Sequence, residues 1–250
     1  MSLLSVLVKG YAGYAYAVPE TLAYADELEG IDESLNRRNA VDMYTRSLDY
    51  GLYYLSEKGI KSADLLTLEE SKLQKLLDKE LDEDDLTSVL FTAQSWGSLI
   101  NLQKENIALV SLVPRVKILF DWVCTQKPDI EHGVCDIFYA QYEGARPRML
   151  GGNPEKAKEL YAKAIQMKPK HLLIRVTYLQ QMVIPAFEAE IYEKEASLLR
   201  TEFAKWEDLK RDELQNTSEY REVEEINLFN SIAKKRFEIM EKNKKKIFEG

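Results

Sequence analysis

The sequence predicts an all-α fold of helices laid side by side in pairs, on the strength of three observations. Glycine and proline are sparse, 11 and 7 in 250 residues, so long uninterrupted elements are favoured. Few stretches alternate apolar and polar residues with period two. Apolar residues instead recur at three- and four-residue spacing along nearly the whole chain. Finally, a small–aromatic–small pattern returns at long intervals and is closed by proline in two of its three copies, which marks a repeat.

The elements follow in order. The opening "MSLLSVLVKGYAGYAYAVPE" lacks a basic region before its apolar part. Its apolar residues Leu3, Leu4, Leu7, Tyr11, Tyr14, Ala15 and Val18 fall on one helical face. A structural helix is therefore expected rather than a secretion signal, with a preceding segment removed. Residues 1–60 read as a first helix pair. An inserted helix over 64–81 carries Leu73, Leu76, Leu77 and Leu81, begun by Thr67 with Glu70 three residues on as a capping box. Asp82 is placed to cap a helix carrying Leu86, Val89, Leu90, Ala93, Trp96, Gly97 and Ile100, which opens a second pair over 82–128. Ile130, Val134, Ile137, Phe138 and Gln141 open a third pair over 129–169. In its second half Asn153 caps, Pro154 takes the first helical position, and Pro169 stops the helix. A fourth pair occupies 170–210, and 217–250 reads as a C-terminal capping helix with a basic tail. All of 1–250 is expected to form a single helical repeat domain.

The repeat is carried by Ala157, Tyr161, Ala164 and Pro169. The same places 41 residues earlier hold Val116, Phe120, Val123 and Pro128, and Ala40, Tyr44 and Ser47 repeat the first three. Small residues let backbones approach, the aromatic wedges between helices, and proline ends the second helix. This is the second-helix half of a tetratricopeptide-type repeat, whose usual period is about 34 residues. The fold class expected is thus a degenerate tetratricopeptide-like α-α superhelix of three to four pairs with extra helices.

Hydrophobic residues at 45% and charged residues at 30% suit a folded domain. A net charge of -8 opposes general nucleic-acid binding, since phosphates would be repelled. No apolar run approaches the roughly 20 residues needed to cross a bilayer. The sequence shows no HExxH, CxxC, G-x-S-x-G or glycine-rich phosphate loop, and His132 and His171 have no metal-ligand spacing. No enzyme, cofactor or metal is expected. The "NTS" at 216–218 matches a glycosylation pattern, a short motif with many false positives. Cys124 and Cys135 flank the turn at Lys127–Asp129, where either a disulfide or two buried thiols would fit; two buried thiols are the expectation.

Several phrases recur in a telling order: "YAGYAYA" (11–17), "LDYGL" (48–52), "WGSLINL" (96–102), "PRVKILFDW" (114–122), "YEGARPRMLGGNPEKAKELYAKAI" (142–165) and "YLQQMVIPAFEAEIYEKE" (178–195). Together they resemble the T component of TRAP (tripartite ATP-independent periplasmic) transporter systems, often called TatT, from about Tyr11 to about Trp206. The resemblance implies a non-enzymatic periplasmic lipoprotein, its lipid anchor carried on a segment not visible in this chain. It would bind the transporter's solute-binding subunit, assemble with itself, with a trimer as the expected state, and hold or pass a small or hydrophobic ligand through an internal cleft. The competing reading is a generic tetratricopeptide adaptor that binds peptide tails.

For the cleft, the candidates are Tyr11, Tyr14, Tyr139 and Tyr142 on first helices, Arg115, Arg146 and Arg148 at helix ends beside aromatic or apolar residues, and Trp96. Arginine can hold a carboxylate through paired hydrogen bonds, and tyrosine supplies an apolar wall with a polar tip. Tyr142 and Arg146 are four apart and share a helix face. The same residues also suit packing between helices and binding of C-terminal carbonyls.

Overall fold

The computed structural model describes residues 2–210 and 217–249, and Asn216 of the "NTS" pattern lies outside them. The described residues are helical with no strand. They form two compact units, 1–128 and 129–250.

The first unit begins with α1 (Leu3–Ala17), capped by Ser2, whose side chain accepts from the Ser5 backbone N–H. Val18 and Pro19 break the run, because proline has no N–H to continue it, and α2 (Pro19–Glu29) starts with that proline at its first turn. Gly30 ends α2 in the left-handed conformation that glycine adopts without a Cβ penalty. Next comes α3 (Leu35–Glu57), capped by Ser34. Two short helices follow, α4 (Ser62–Thr67) and α5 (Glu70–Glu80). Thr67 therefore closes a helix instead of opening one: its hydroxyl donates to the Ala63 carbonyl, and no side chain caps α5. Asp82 does cap, accepting from the Asp84 N–H at the 3-10 turn that leads into α6 (Leu86–Leu102). The unit closes with α7 (Ile107–Val110) and α8 (Val113–Gln126).

Its core forms where α3 crosses α1 and α6. Small and hydroxylated residues let these helices approach. A Cβ at Gly51 would lie 2.1 Å from Thr92 Oγ1, so that position admits only hydrogen. The buried hydroxyls are satisfied across the helices: Ser5 to Ser88 at 2.7 Å, Ser95 to Ser47 at 2.7 Å, and Ser47 to the Val8 carbonyl at 2.9 Å. Fully buried Asp85 accepts from Tyr54 and pairs with Lys58 at 2.7 Å. Burial alone would raise its pKa, but the hydrogen bonds from Lys58, Tyr54 and the Asp82 N–H outweigh that and hold it below the usual value.

The second unit contains α9 (Val134–Gly144), α10 (Pro154–Met167), α11 (Leu172–Tyr178), α12 (Ala189–Leu209), α13 (Ser218–Glu224) and α14 (Asn227–Phe248). A π-helical turn over Leu179–Val183 prolongs α11, and Pro185 follows it. α9 packs on α10, and α11 on α14. Asn153 caps α10 through the Lys156 N–H at 3.1 Å, as its sequence predicts. Both glycines of "LGGNP" are required by the backbone. Gly151 is left-handed, and a Cβ on Gly152 would lie 1.8 Å from the Arg146 carbonyl oxygen.

The positions of the sequence repeat are buried in all three places: Ala40 and Tyr44, then Val116, Phe120 and Val123, then Ala157, Tyr161 and Ala164. Pro128 and Pro169 are exposed, just past the ends of α8 and α10. The expectation of two buried thiols is corrected. Cys124 and Cys135 are both disulfide-bonded, and each is buried.

Candidate functional site

The eight residues singled out from the sequence fall in both units. In the first, Tyr11 is half-buried and stacks on Tyr50 with ring centroids 5.8 Å apart, whereas Tyr14 is exposed. Trp96 is buried in the α6 core. Arg115 donates to the Leu68 carbonyl, satisfying the end of α4. In the second unit, four-residue spacing does bring Tyr142 and Arg146 together. The guanidinium lies 3.6 Å from the Tyr142 ring centroid, and its Nε donates to the Tyr142 carbonyl at 2.8 Å. Glu143 faces the same guanidinium at 3.6 Å. Tyr139 is half-buried with its ring edge-on to Phe138, and exposed Arg148 pairs with Glu155.

Two crevices open in the second unit, one on each side of Pro169. None of the eight residues is among those that line them. The first, of about 330 Å³, is bordered by Asp129, His132, Lys168, His171 and Glu222. Its wall is held by an unusual loop. Glu131 and His132 both take positive φ, 46° and 57°, before Gly133 at 120° starts α9. The imidazoles of His132 and His171 both lie against Phe229, at 6.1 and 5.2 Å between centroids. His171 is only 4% exposed, and its Nδ1 is buried without a hydrogen-bond partner. Desolvation lowers its pKa from 6.5 to about 4, so the ring is neutral at physiological pH. Lys168 bridges Asp129 and Asp136; burial opposes its charge, but the two carboxylates prevail and raise its pKa.

The second crevice, of about 430 Å³, has Ala162, Ile165, Pro169 and Tyr178 as its apolar surface. The Tyr178 ring packs on buried Tyr161 at 5.5 Å, and desolvation raises its pKa. Two ion pairs stand beside it, Lys158–Glu188 at 2.7 Å and the largely buried Arg175–Glu195. Such a site offers an apolar wall and fixed charges of both signs, which suits holding a small molecule rather than transforming it. Sequence reasoning missed Arg175 and Tyr178. Their three-residue spacing on the helix after Pro169 was the available signal, since it places them on one face. Among the described residues no group of three or more His, Cys, Asp or Glu could hold a metal ion, and no helix is long and apolar enough to cross a membrane.

Comparison with known families settles the kinship. The family model described as the TRAP transporter T-component matches residues 1–248. The chain belongs to the TRAP transporter T-component family. A T-component is an accessory part of a transporter and not an enzyme. Membership of that family associates this T-component with a TRAP transporter and suggests a periplasmic location. No curated protein matches the chain.

Proposed function

We propose that this T-component works in the periplasm as a lipid-anchored helper that binds the transporter's solute-binding subunit. The single observation that carries the reading is the family match over residues 1–248. The disulfide state of Cys124 and Cys135 supports the compartment, because disulfides persist in oxidising spaces such as the bacterial periplasm. The paired helices and the buried small–aromatic–small positions support a tetratricopeptide-type array, an architecture that presents extended surfaces to partners. Self-assembly, with a trimer as the expected state, is part of the same reading and rests on family resemblance.

In this reading a small, largely apolar ligand is held in the second unit. The crevice beside Tyr178 and Arg175 supplies one wall, and the Tyr139, Tyr142, Arg146 and Arg148 group is the second candidate. The test is co-sedimentation of the purified T-component with the solute-binding subunit encoded beside it, both folded and at tens of micromolar, a range that captures weak pairs. A complex is expected. Independent sedimentation of the two proteins would refute partner binding.

A further inference from the structure

The basic C-terminal stretch is not a loose tail: it forms the last turns of α14, a helix of 22 residues. One side of α14 is buried, with Ile232, Phe237, Met240 and Ile247 packed into the second unit. The opposite side exposes Leu228, Ser231, Lys235 and Lys242, then the neighbours Lys245 and Lys246. Apart from those two neighbours, their spacings are three, four and seven residues, which keeps them on one helix face. At 1.5 Å per residue the stripe is straight and about 27 Å long.

Its charge is out of keeping with the chain. Between residues 234 and 250 seven basic residues stand against three acidic ones, in a chain whose net charge is -8. Some of these cations serve the fold: Lys234 pairs with Glu207, Lys244 pairs with Glu193, and buried Arg236 reaches Gln180. Lys235, Lys245 and Lys246 have no carboxylate partner among the described residues. Of the two acids on the same side, Glu238 lies 3.8 Å from Lys234, which leaves Glu249 at the very end. The carbonyls of the helix C-terminus favour Lys245 and Lys246, but they do not account for Lys235 or Lys242.

Composition says what covers such a stripe. Protein interfaces are depleted in lysine and enriched in aromatic residues, methionine and arginine. This stripe holds four lysines and a leucine, with no aromatic ring, and neither crevice opens on it. An anionic bilayer is instead a plane of negative charge, against which a straight row of ammonium groups can lie. Each lysine near such a surface strengthens binding by roughly fivefold. The acidic remainder of the chain does not cancel this, because charges more than about 8 Å from the surface are screened at physiological ionic strength.

We propose that the exposed stripe of α14 is a contact surface for an anionic phospholipid bilayer, with Lys235, Lys242, Lys245 and Lys246 at the headgroup phosphates. This contact rests on the lipid-anchored reading and adds which face the protein turns to its membrane. The test is co-sedimentation of the full, unlipidated chain with phosphatidylglycerol vesicles and with neutral phosphatidylcholine vesicles, at millimolar lipid. Three proteins are compared: the wild type, the combined Lys235→Gln, Lys245→Gln and Lys246→Gln variant, and a control combining Lys75→Gln, Lys127→Gln and Lys163→Gln. The control removes the same charge from exposed positions elsewhere, and circular dichroism checks both folds. The wild type is expected to bind phosphatidylglycerol vesicles, to be released by high salt, and to ignore phosphatidylcholine. The α14 variant should bind roughly a hundredfold more weakly, and the control as the wild type does. A wild type that ignores phosphatidylglycerol or binds both vesicles alike overturns the contact. So does an α14 variant that binds undiminished, or a control that loses as much. Should the wild type ignore vesicles while the α14 variant alone fails to sediment with the solute-binding subunit, the stripe is a protein-docking face and the bilayer contact is overturned. Anchoring is decided separately, by the mass of the chain extracted from its native membrane, and partner binding by co-sedimentation of the wild type.

Discussion

Acid should destabilise the second unit through His171, and the size of the effect can be worked from its surroundings. The imidazole is buried against Phe229 with an unpartnered Nδ1, and desolvation brings its pKa from 6.5 to about 4. A folded-state pKa below the unfolded value means that the unfolded chain binds the proton first. The stabilisation from a neutral His171 is therefore complete above pH 6.5, falls as pH drops below it, and is gone near pH 4. Each pH unit is worth 1.36 kcal/mol, so the whole window amounts to about 3 kcal/mol and the interval from pH 6.5 to 5 to about 2 kcal/mol. Urea unfolding at the two pH values, followed for the wild type and for His171→Phe, isolates this contribution. The phenyl ring keeps the packing and cannot titrate, so the variant should lose about 2 kcal/mol less than the wild type over that interval. An imidazole NMR titration should give His171 an apparent pKa near 4. Equal pH slopes for the two proteins, or a His171 titration near 6.5, would refute the reasoning.

Three other outcomes are expected. Asp85→Ala removes the acceptor of the Tyr54 hydroxyl and the Asp82 N–H, which should cost about 3 kcal/mol in denaturant unfolding, since each buried donor left unpaired costs roughly 1–3 kcal/mol. A thiol assay on the unfolded, unreduced chain should find no free cysteine, and Cys124→Ser together with Cys135→Ser should lower stability by about 3 kcal/mol, as expected for closing a short loop; two titratable thiols would contradict the disulfide. Gly152→Ala puts a methyl group onto the Arg146 carbonyl oxygen and should cost about 1–3 kcal/mol, read as a lowered Tm, because backbone must move to admit it.

The helices were legible because their apolar spacing is a direct consequence of burying one face. Asn153, Pro154 and Asp82 act at the starts where their chemistry places them. The Thr67–Glu70 box misled for a local reason: the hydroxyl had an equally good acceptor one turn back, in the Ala63 carbonyl, so the threonine ends α4. Cysteine pairing was not legible at all. Burial as two thiols and bonding across a turn demand the same sequence, and only the positions of Cys124 and Cys135 in the fold separate them.

The site divides in a more instructive way. Spacing found the Tyr142–Arg146 contact, because residues four apart on a helix must meet, whatever the rest of the chain does. It could not find the crevices, which depend on the chain reversal at Pro169 and on distant residues brought beside it: Asp129, His132 and Glu222 at the first, and Glu195 of α12 at the second. Proline there was read as a stop signal, and it is one. Yet stopping α10 at that point is also what leaves His171 at the start of a separate helix and Tyr178 within it, each lining one of the two crevices. The same reversal keeps the functional expectation on binding. It gathers lysines, carboxylates and aromatic rings, but most of the charges are already matched, Lys168 by Asp129 and Asp136, Arg175 by Glu195 and Lys158 by Glu188. Charges neutralised in this way suit the binding role proposed above, because none of them is left to activate a nucleophile.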